Sequence, residues 1–294
     1  MVVVLSLLAA TAFAFGSVLQ QKGTLEAPSS GDDPRFLAEI LRRPVWLAGA
    51  GLQGSGWILQ AAALDRGSLM VVQSLTACSL VIALPVGARI TAQRISRRTL
   101  LGAVAMIAGV VLFLSVGSPQ GGTAHPGAEA WWSAGLASLV VVLLLAWIGA
   151  HRSGALRALL FGSTAGVGFA FQATVTKQFV TLVGQGLGAL LSSWEVYALI
   201  ASAVAGFVLQ QSALKTGVLA PAMASSNAVT LFGSVVFGVT VFGEDFSGSN
   251  ARLAPAVVGL AVALIGIVLL AGSQPPQAPE PAALPAEAAP TGTR

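Results

Sequence analysis

The chain writes one stretch twice, and that duplication limits what it can fold into. Gly56–Thr76 reads GWILQAAALDRGSLMVVQSLT, and Gly206–Ser226 reads GFVLQQSALKTGVLAPAMASS. At an offset of 150, Gly56, Leu59, Gln60, Ala63, Leu64, Gly67 and Leu69 meet Gly206, Leu209, Gln210, Ala213, Leu214, Gly217 and Leu219. Each copy reads as the end of one apolar helix, a tight glycine turn and the start of the next. A second echo pairs Gly102–Leu114, GAVAMIAGVVLFL, with Gly259–Ala271, GLAVALIGIVLLA, and the glycines are seven apart in both. A weaker third pairs AFGSVLQQKG from Ala14 with AFQATVTKQF from Ala170. Three echoes in one order predict two homologous halves.

Composition names the solvent. Apolar residues make up 55% of the chain, charged residues 9%, and the mean hydropathy is +0.83. A soluble domain carries about 25% charged residues, so these segments face lipid. A span needs about 20 mostly apolar residues, and nine such segments are expected: 1–20, 44–64, 68–88, 99–117, 132–150, 157–177, 195–214, 218–242 and 253–272. The first lacks a basic region ahead of its apolar run, which reads as a membrane helix rather than a cleaved signal. DDPRFLAEILRRP predicts a short interfacial helix near 34–43, with Phe36, Leu37, Ile40 and Leu41 on its apolar face. Residues 184–193 read as a partial helix or re-entrant turn. The Pro- and Ala-rich stretch 273–294 cannot bury a core and reads as a disordered tail.

Orientation follows from the basic residues. Lys22, Arg35, Arg42, Arg43, Arg89, Arg94, Arg97, Arg98, Arg152, Arg157, Lys215 and Arg294 fall on one side, twelve in all. Arg66, Lys177 and Arg252 fall on the other, three in all. The positive-inside rule then puts the N-terminus outside and the C-terminus in the cytoplasm of a plasma membrane. Spans one to four start outside and spans six to nine start inside, with the fifth as linker. The expectation is an all-α polytopic membrane protein: a first four-helix repeat over 1–117, a linker helix over 132–150, and an inverted second repeat over 157–272. Inverted repeats are an architecture of secondary transporters, whose site lies near the midplane between the repeats.

Enzyme signatures are absent from the sequence. His125 and His151 stand alone at loop or span-end positions, and no paired carboxylates or Ser/His/Asp set appears in a suitable context. No cofactor or metal site is expected, and no nucleic-acid surface, since eight of the fifteen Lys/Arg sit in two short loops. Cys78, the single cysteine, reads as a buried packing residue. The informative residues are polar ones inside spans, because an unpaired buried amide or hydroxyl is costly in lipid. Asn227, Gln53 and Thr76 fall near mid-span, Gln172 nearer the outer side, and Ser226 beside Asn227. These five form the expected substrate site. Pro221 is expected to interrupt its helix and free a carbonyl beside them. Gly67 and Gly217 are expected to take a positive φ or permit close contact. Asp65, Glu195 and Glu244 fall at span ends, and Lys177 is expected to snorkel outward, with a second reading as a cation for anionic substrates.

FGSVLQQKG at 15–23, RRPVWLAGAGLQGSGWILQAAAL at 42–64 and the stretch 206–244, ending in Phe242-Gly243-Glu244, carry a resemblance. The chain resembles the drug/metabolite transporter superfamily (EamA-like), and within it the NIPA-type magnesium-transporter-like branch and related actinobacterial integral membrane proteins. That resemblance implies transport by alternating access and agrees with nine spans. The expected function is a plasma-membrane secondary transporter for a small polar or amphipathic metabolite. The alternatives are a divalent-cation permease and a non-transporting membrane scaffold. Expected partners are the lipid bilayer and a small molecule or ion; a homodimer is compatible with such a chain.

Overall fold

The computed structural model describes residues 1–25, 41–91, 96–123, 125–183, 186–214, 219–246 and 253–271. Residues 34–40 of the expected interfacial helix, Gly217 and the tail from 273 lie outside the described residues, while Leu41–Arg42 form a turn. In chain order the elements are α1 (Val2–Leu25), α2 (Pro44–Leu64), α3 (Leu69–Ala77), α4 (Ser79–Thr91), α5 (Arg97–Gly117) and β1 (Pro119–Gly121). There follow α6 (Ala128–Ala150), α7 (Gly154–Val183), α8 (Leu187–Ser192), α9 (Trp194–Leu214), α10 (Leu219–Thr240), β2 (Glu244–Phe246) and α11 (Leu253–Ala271).

Among the described residues, seven helical segments are long and apolar enough to cross a membrane: Val2–Gln20, Leu69–Arg89, Arg97–Gly117, Ala128–Ala150, Gly154–Val183, Pro221–Thr240 and Leu253–Leu270. Helices also cover the other two expected spans, α2 and α9, each 21 residues long. Neither is among the seven. In α2 the reason is visible in LAGAGLQGSGW, where glycine and polar residues replace bulk so that α1 can lie close. A Cβ on Gly49 would fall 2.7 Å from the carbonyl oxygen of Gly16, and one on Gly56 would fall 2.6 Å from the Phe13 ring. The same contact recurs between α7 and α9, where a Cβ on Gly206 would lie 2.9 Å from the Phe169 ring.

The helices pack in a definite pattern: α1 along α2, α7 along both α9 and α10, α5 along α11, and α3 against α1 and α10. The α5–α11 seam runs through the echoed glycines. A Cβ on Gly109 would meet the Gly259 carbonyl at 2.6 Å, and a Cβ on Gly266 would meet that of Gly102 at 2.8 Å. Met106, Val110, Phe113, Leu260, Ala263 and Ile267 are buried along the same seam. By contrast α6 leaves Leu136, Leu139, Leu143, Leu144 and Trp147 exposed. In this setting exposed apolar faces are lipid-facing.

Two expectations about interruptions change. Helix α10 is continuous from Leu219, so Pro221 sits in its first turn, where the missing N–H has no intrahelical acceptor to lose. The break falls instead in the third span: α3 ends at Ala77, Cys78 bonds back to the Leu75 and Thr76 carbonyls, and α4 starts at Ser79 and carries Pro85. Gly67 takes no positive φ. It is small because a Cβ there would lie 2.5 Å from the Val2 side chain.

Candidate functional site

The end of α10 folds back into the protein. Gly243, at φ +61, closes the helix in the left-handed region that glycine enters at low cost, with its N–H bonded to the Val239 carbonyl. The reversal starts β2, which pairs antiparallel with β1 in the register Pro119↔Phe246, Gln120↔Asp245, Gly121↔Glu244. Glu244 is thereby turned inward and has no exposed surface. Gly238 provides the room, since a Cβ there would lie 2.7 Å from a Glu244 carboxylate oxygen.

Three donors converge on that carboxylate. Its Oε1 accepts from the Leu69 N–H and from Lys177 Nζ, each at 2.5 Å, and its Oε2 accepts from the Met70 N–H at 3.0 Å. Leu69 and Met70 open α3, and Val71 donates to Ser68 Oγ at 3.1 Å, so a residue 175 positions away completes this helix cap. A carboxylate on a helix N-terminus is favoured by the free N–H groups and the helix dipole. Lys177 Nζ also sits 4.5 Å from the centre of the Phe242 ring, a cation–π arrangement. Lys177 therefore does not snorkel outward: its side chain is 13% exposed and paired with Glu244. The inward return of the chain after Gly243 supplies a partner that a linear count of spans does not place.

Above this pair lies a cavity of about 550 Å³, lined in part by Val2, Ser68, Thr123, Lys177, Thr181 and Phe242. Val2 begins α1, whereas Lys177 and Thr181 stand in the last turns of α7. The cavity thus marks one end of the bundle, where α1 and α3 start and α2, α5, α7 and α10 finish.

The five expected site residues occupy α2, α3, α7 and α10, and no hydrogen bond joins any two of them among the described residues. Asn227 donates through Nδ2 to its own helix at the Met223 carbonyl, 2.8 Å away. Thr76 is buried and donates to the Gln73 carbonyl at 3.1 Å. Ser226 is buried, and its carbonyl accepts from Thr230 Oγ1 at 2.7 Å. The carbonyl of Gln172 accepts from Thr176. Gln53 is the exception, because its buried Oε1 has no hydrogen-bond partner.

Other buried polar atoms share that condition: Ser6 Oγ, Gln73 Nε2, Gln178 Oε1, Gln210 Oε1 and Ser234 Oγ. Ser6, Gln73 and Ser234 each stand four residues, one helical turn of about 5.4 Å, from Val2, Leu69 and Gly238 at the cavity end. Sequence reasoning passed over Gln73 and Ser234. Their signal was the one used for Thr76 and Asn227, a polar side chain within an apolar run.

Over 273 residues the chain is 29% identical to an uncharacterized protein of Corynebacterium glutamicum, covering 91% of this chain and 93% of that one. Over 268 residues it is 22% identical to the "probable magnesium transporter NIPA9" of Arabidopsis thaliana, covering 88% of this chain and 78% of that protein. No protein-family model matches the chain, and no solved structure does. This is a multi-pass membrane protein. Its apolar helices and the similarity to a protein named as a probable transporter agree on that point.

Proposed function

We propose that the chain is a secondary transporter of the plasma membrane that moves a small polar metabolite by alternating access. The carrying observation is the set of buried polar atoms without partners, Gln53 Oε1, Gln73 Nε2, Ser6 Oγ and Ser234 Oγ among them. Leaving such a group unsatisfied costs about 1–3 kcal/mol, so a chain that serves only to pack has reason to replace them. A carrier uses them to exchange hydrogen bonds with a passing polar solute. The similarity to a protein named as a probable magnesium transporter supports transport as the class.

Two inverted repeats are part of this reading. Supporting it, the echoed pairs make matching contacts: Phe13 lies on Gly56 as Phe169 lies on Gly206. Helices α1 and α7, aligned by the third echo, put opposite ends at the cavity. With α2 and α9 counted, the reading has nine spans, an outside N-terminus and a cytoplasmic C-terminus. The carrier needs no catalytic residue.

Magnesium is the second reading, favoured by the name of the Arabidopsis relative. A thermal-shift series on the purified full chain separates the two. A ligand at one hundred times its Kd stabilises by about 2.7 kcal/mol, which raises the melting temperature measurably. A rise with uncharged or anionic metabolites and none with magnesium supports the metabolite carrier. A rise with magnesium alone transfers the assignment to a cation permease, and no rise with either leaves the scaffold.

A further inference from the structure

We infer that the cavity above Lys177 is the entry site for an anionic group of the ligand, which Lys177 takes up in exchange for Glu244. The inference rests on the transporter reading and names its substrate class. At about 550 Å³ the cavity is of the size that holds small molecules, about 300–1,000 Å³. Lys177 lines it; Glu244, without exposed surface, is absent from the lining. A solute that passes the exposed Asp65–Arg66 pair on the lining meets the Lys177 ammonium before it could meet Glu244. An ammonium has three donors, and of those on Lys177 one is spent on Glu244 Oε1.

The exchange is possible because Glu244 keeps other donors. When Lys177 turns toward the cavity, the Leu69 and Met70 N–H groups still hold the carboxylate at the N-terminus of α3. A cation finds less: Asp65, the carboxylate along the lining, is paired with Arg66, and Glu244 behind it is surrounded by those same N–H groups and the ammonium. Arg66 adds little, since it is paired with Asp65 at 3.5 Å and donates to the Ala62 carbonyl at 2.9 Å. The hydroxyls of Ser68 and Thr123 along the wall accept from backbone N–H groups and keep their own hydrogens to donate to the rest of an oxyanion, whereas Thr181 donates to the Gln178 carbonyl.

The test reads charge directly. On a Cys78→Ala background, Thr181→Cys places one thiol a helical turn from Lys177. Its reaction with anionic sulfonatoethyl and cationic trimethylammonioethyl methanethiosulfonate is compared with that of free mercaptoethanol. A nearby unit charge in a partly hydrated cleft predicts an anion preference of about tenfold after this normalisation. Succinate or inorganic phosphate should slow the anionic reagent, the two arms separating a carboxylate from a phosphate ligand.

The double change Lys177→Met, Glu244→Gln removes both charges, so the result does not depend on a single change that strands one buried ion. It should bring the preference to about one and abolish protection. Equal or cation-favoured labelling of the parent, protection by magnesium chloride alone, or a preference that survives the double change overturns the entry site. Labelling requires no transport. A chain that carries a metabolite yet labels without charge preference would therefore refute this site and leave the transporter reading intact.

Discussion

Glu244 stabilises three elements at once: the start of α3, the side chain of Lys177 on α7 and the β1–β2 pair. Glu244→Gln keeps its shape but leaves a buried ammonium without its counter-charge and turns an amide donor toward N–H groups. Breaking one member of a buried pair costs about 3–5 kcal/mol, and thermal unfolding of the purified variant should fall accordingly. Adding Lys177→Met should recover part of the loss; an unchanged midpoint for Glu244→Gln would show that the pair contributes nothing. Asn227 is the contrasting case. Its amide bonds to its own helix, so Asn227→Leu should fold nearly as wild type, at about 0.6 kcal/mol for a lost membrane hydrogen bond. Loss of ligand response in that variant would keep Asn227 in the substrate site, and a wild-type response would remove it. Sequence alone exposed both residues to view but ranked them by depth along a span. Depth says nothing about a chain that reverses at Gly243 and carries a carboxylate back into the protein.

Among the elements, the α5–α11 seam and the break at Cys78 show what a one-dimensional pattern reveals. The glycines of the seam were legible as an echo seven apart on both helices, but that the two helices pack on each other through them was not. Gly109→Val should be strongly destabilising, since its added atoms would enter the space of the Gly259 carbonyl and the Ala263 backbone. Overpacking of this kind costs about 1–3 kcal/mol. Gly135→Val on lipid-facing α6, where a Cβ meets nothing within 4 Å, is the matched control. Equal yield and melting temperature for the two variants would contradict a close-packed seam. The break was not legible. Pro221 suggested an interruption in α10, yet a proline in a first turn costs that turn nothing, while α3 stops at Ala77 without a proline at the joint. The reversal of expectation follows from where each helix starts, and the repeat predicted helix ends only to within a few residues.

At the scale of the whole molecule, membrane class was legible from composition, and most spans from apolar length. α2 was read as a span from its length, and its glycines at 49 and 56 prove to be packing surface against α1. Sidedness remains a prediction from the basic residues. On the Cys78→Ala background, Thr123→Cys at the cavity end should react with an impermeant thiol reagent in intact cells, and Ser153→Cys, between α6 and α7, only after the membrane is opened. The reverse pattern would invert the molecule, and labelling of both from outside would break the topology. The glycine seam then has a mechanical consequence. Its crossing points are backbone against backbone, Gly109 on Gly259 and Gly102 on Gly266, so no rotamer change can widen or narrow it. The register is reciprocal, the earlier glycine of each helix meeting the later glycine of the other, which sets the two contacts evenly about one centre. Such a joint resists separation, and in the proposed carrier α5 and α11 would therefore move as one unit.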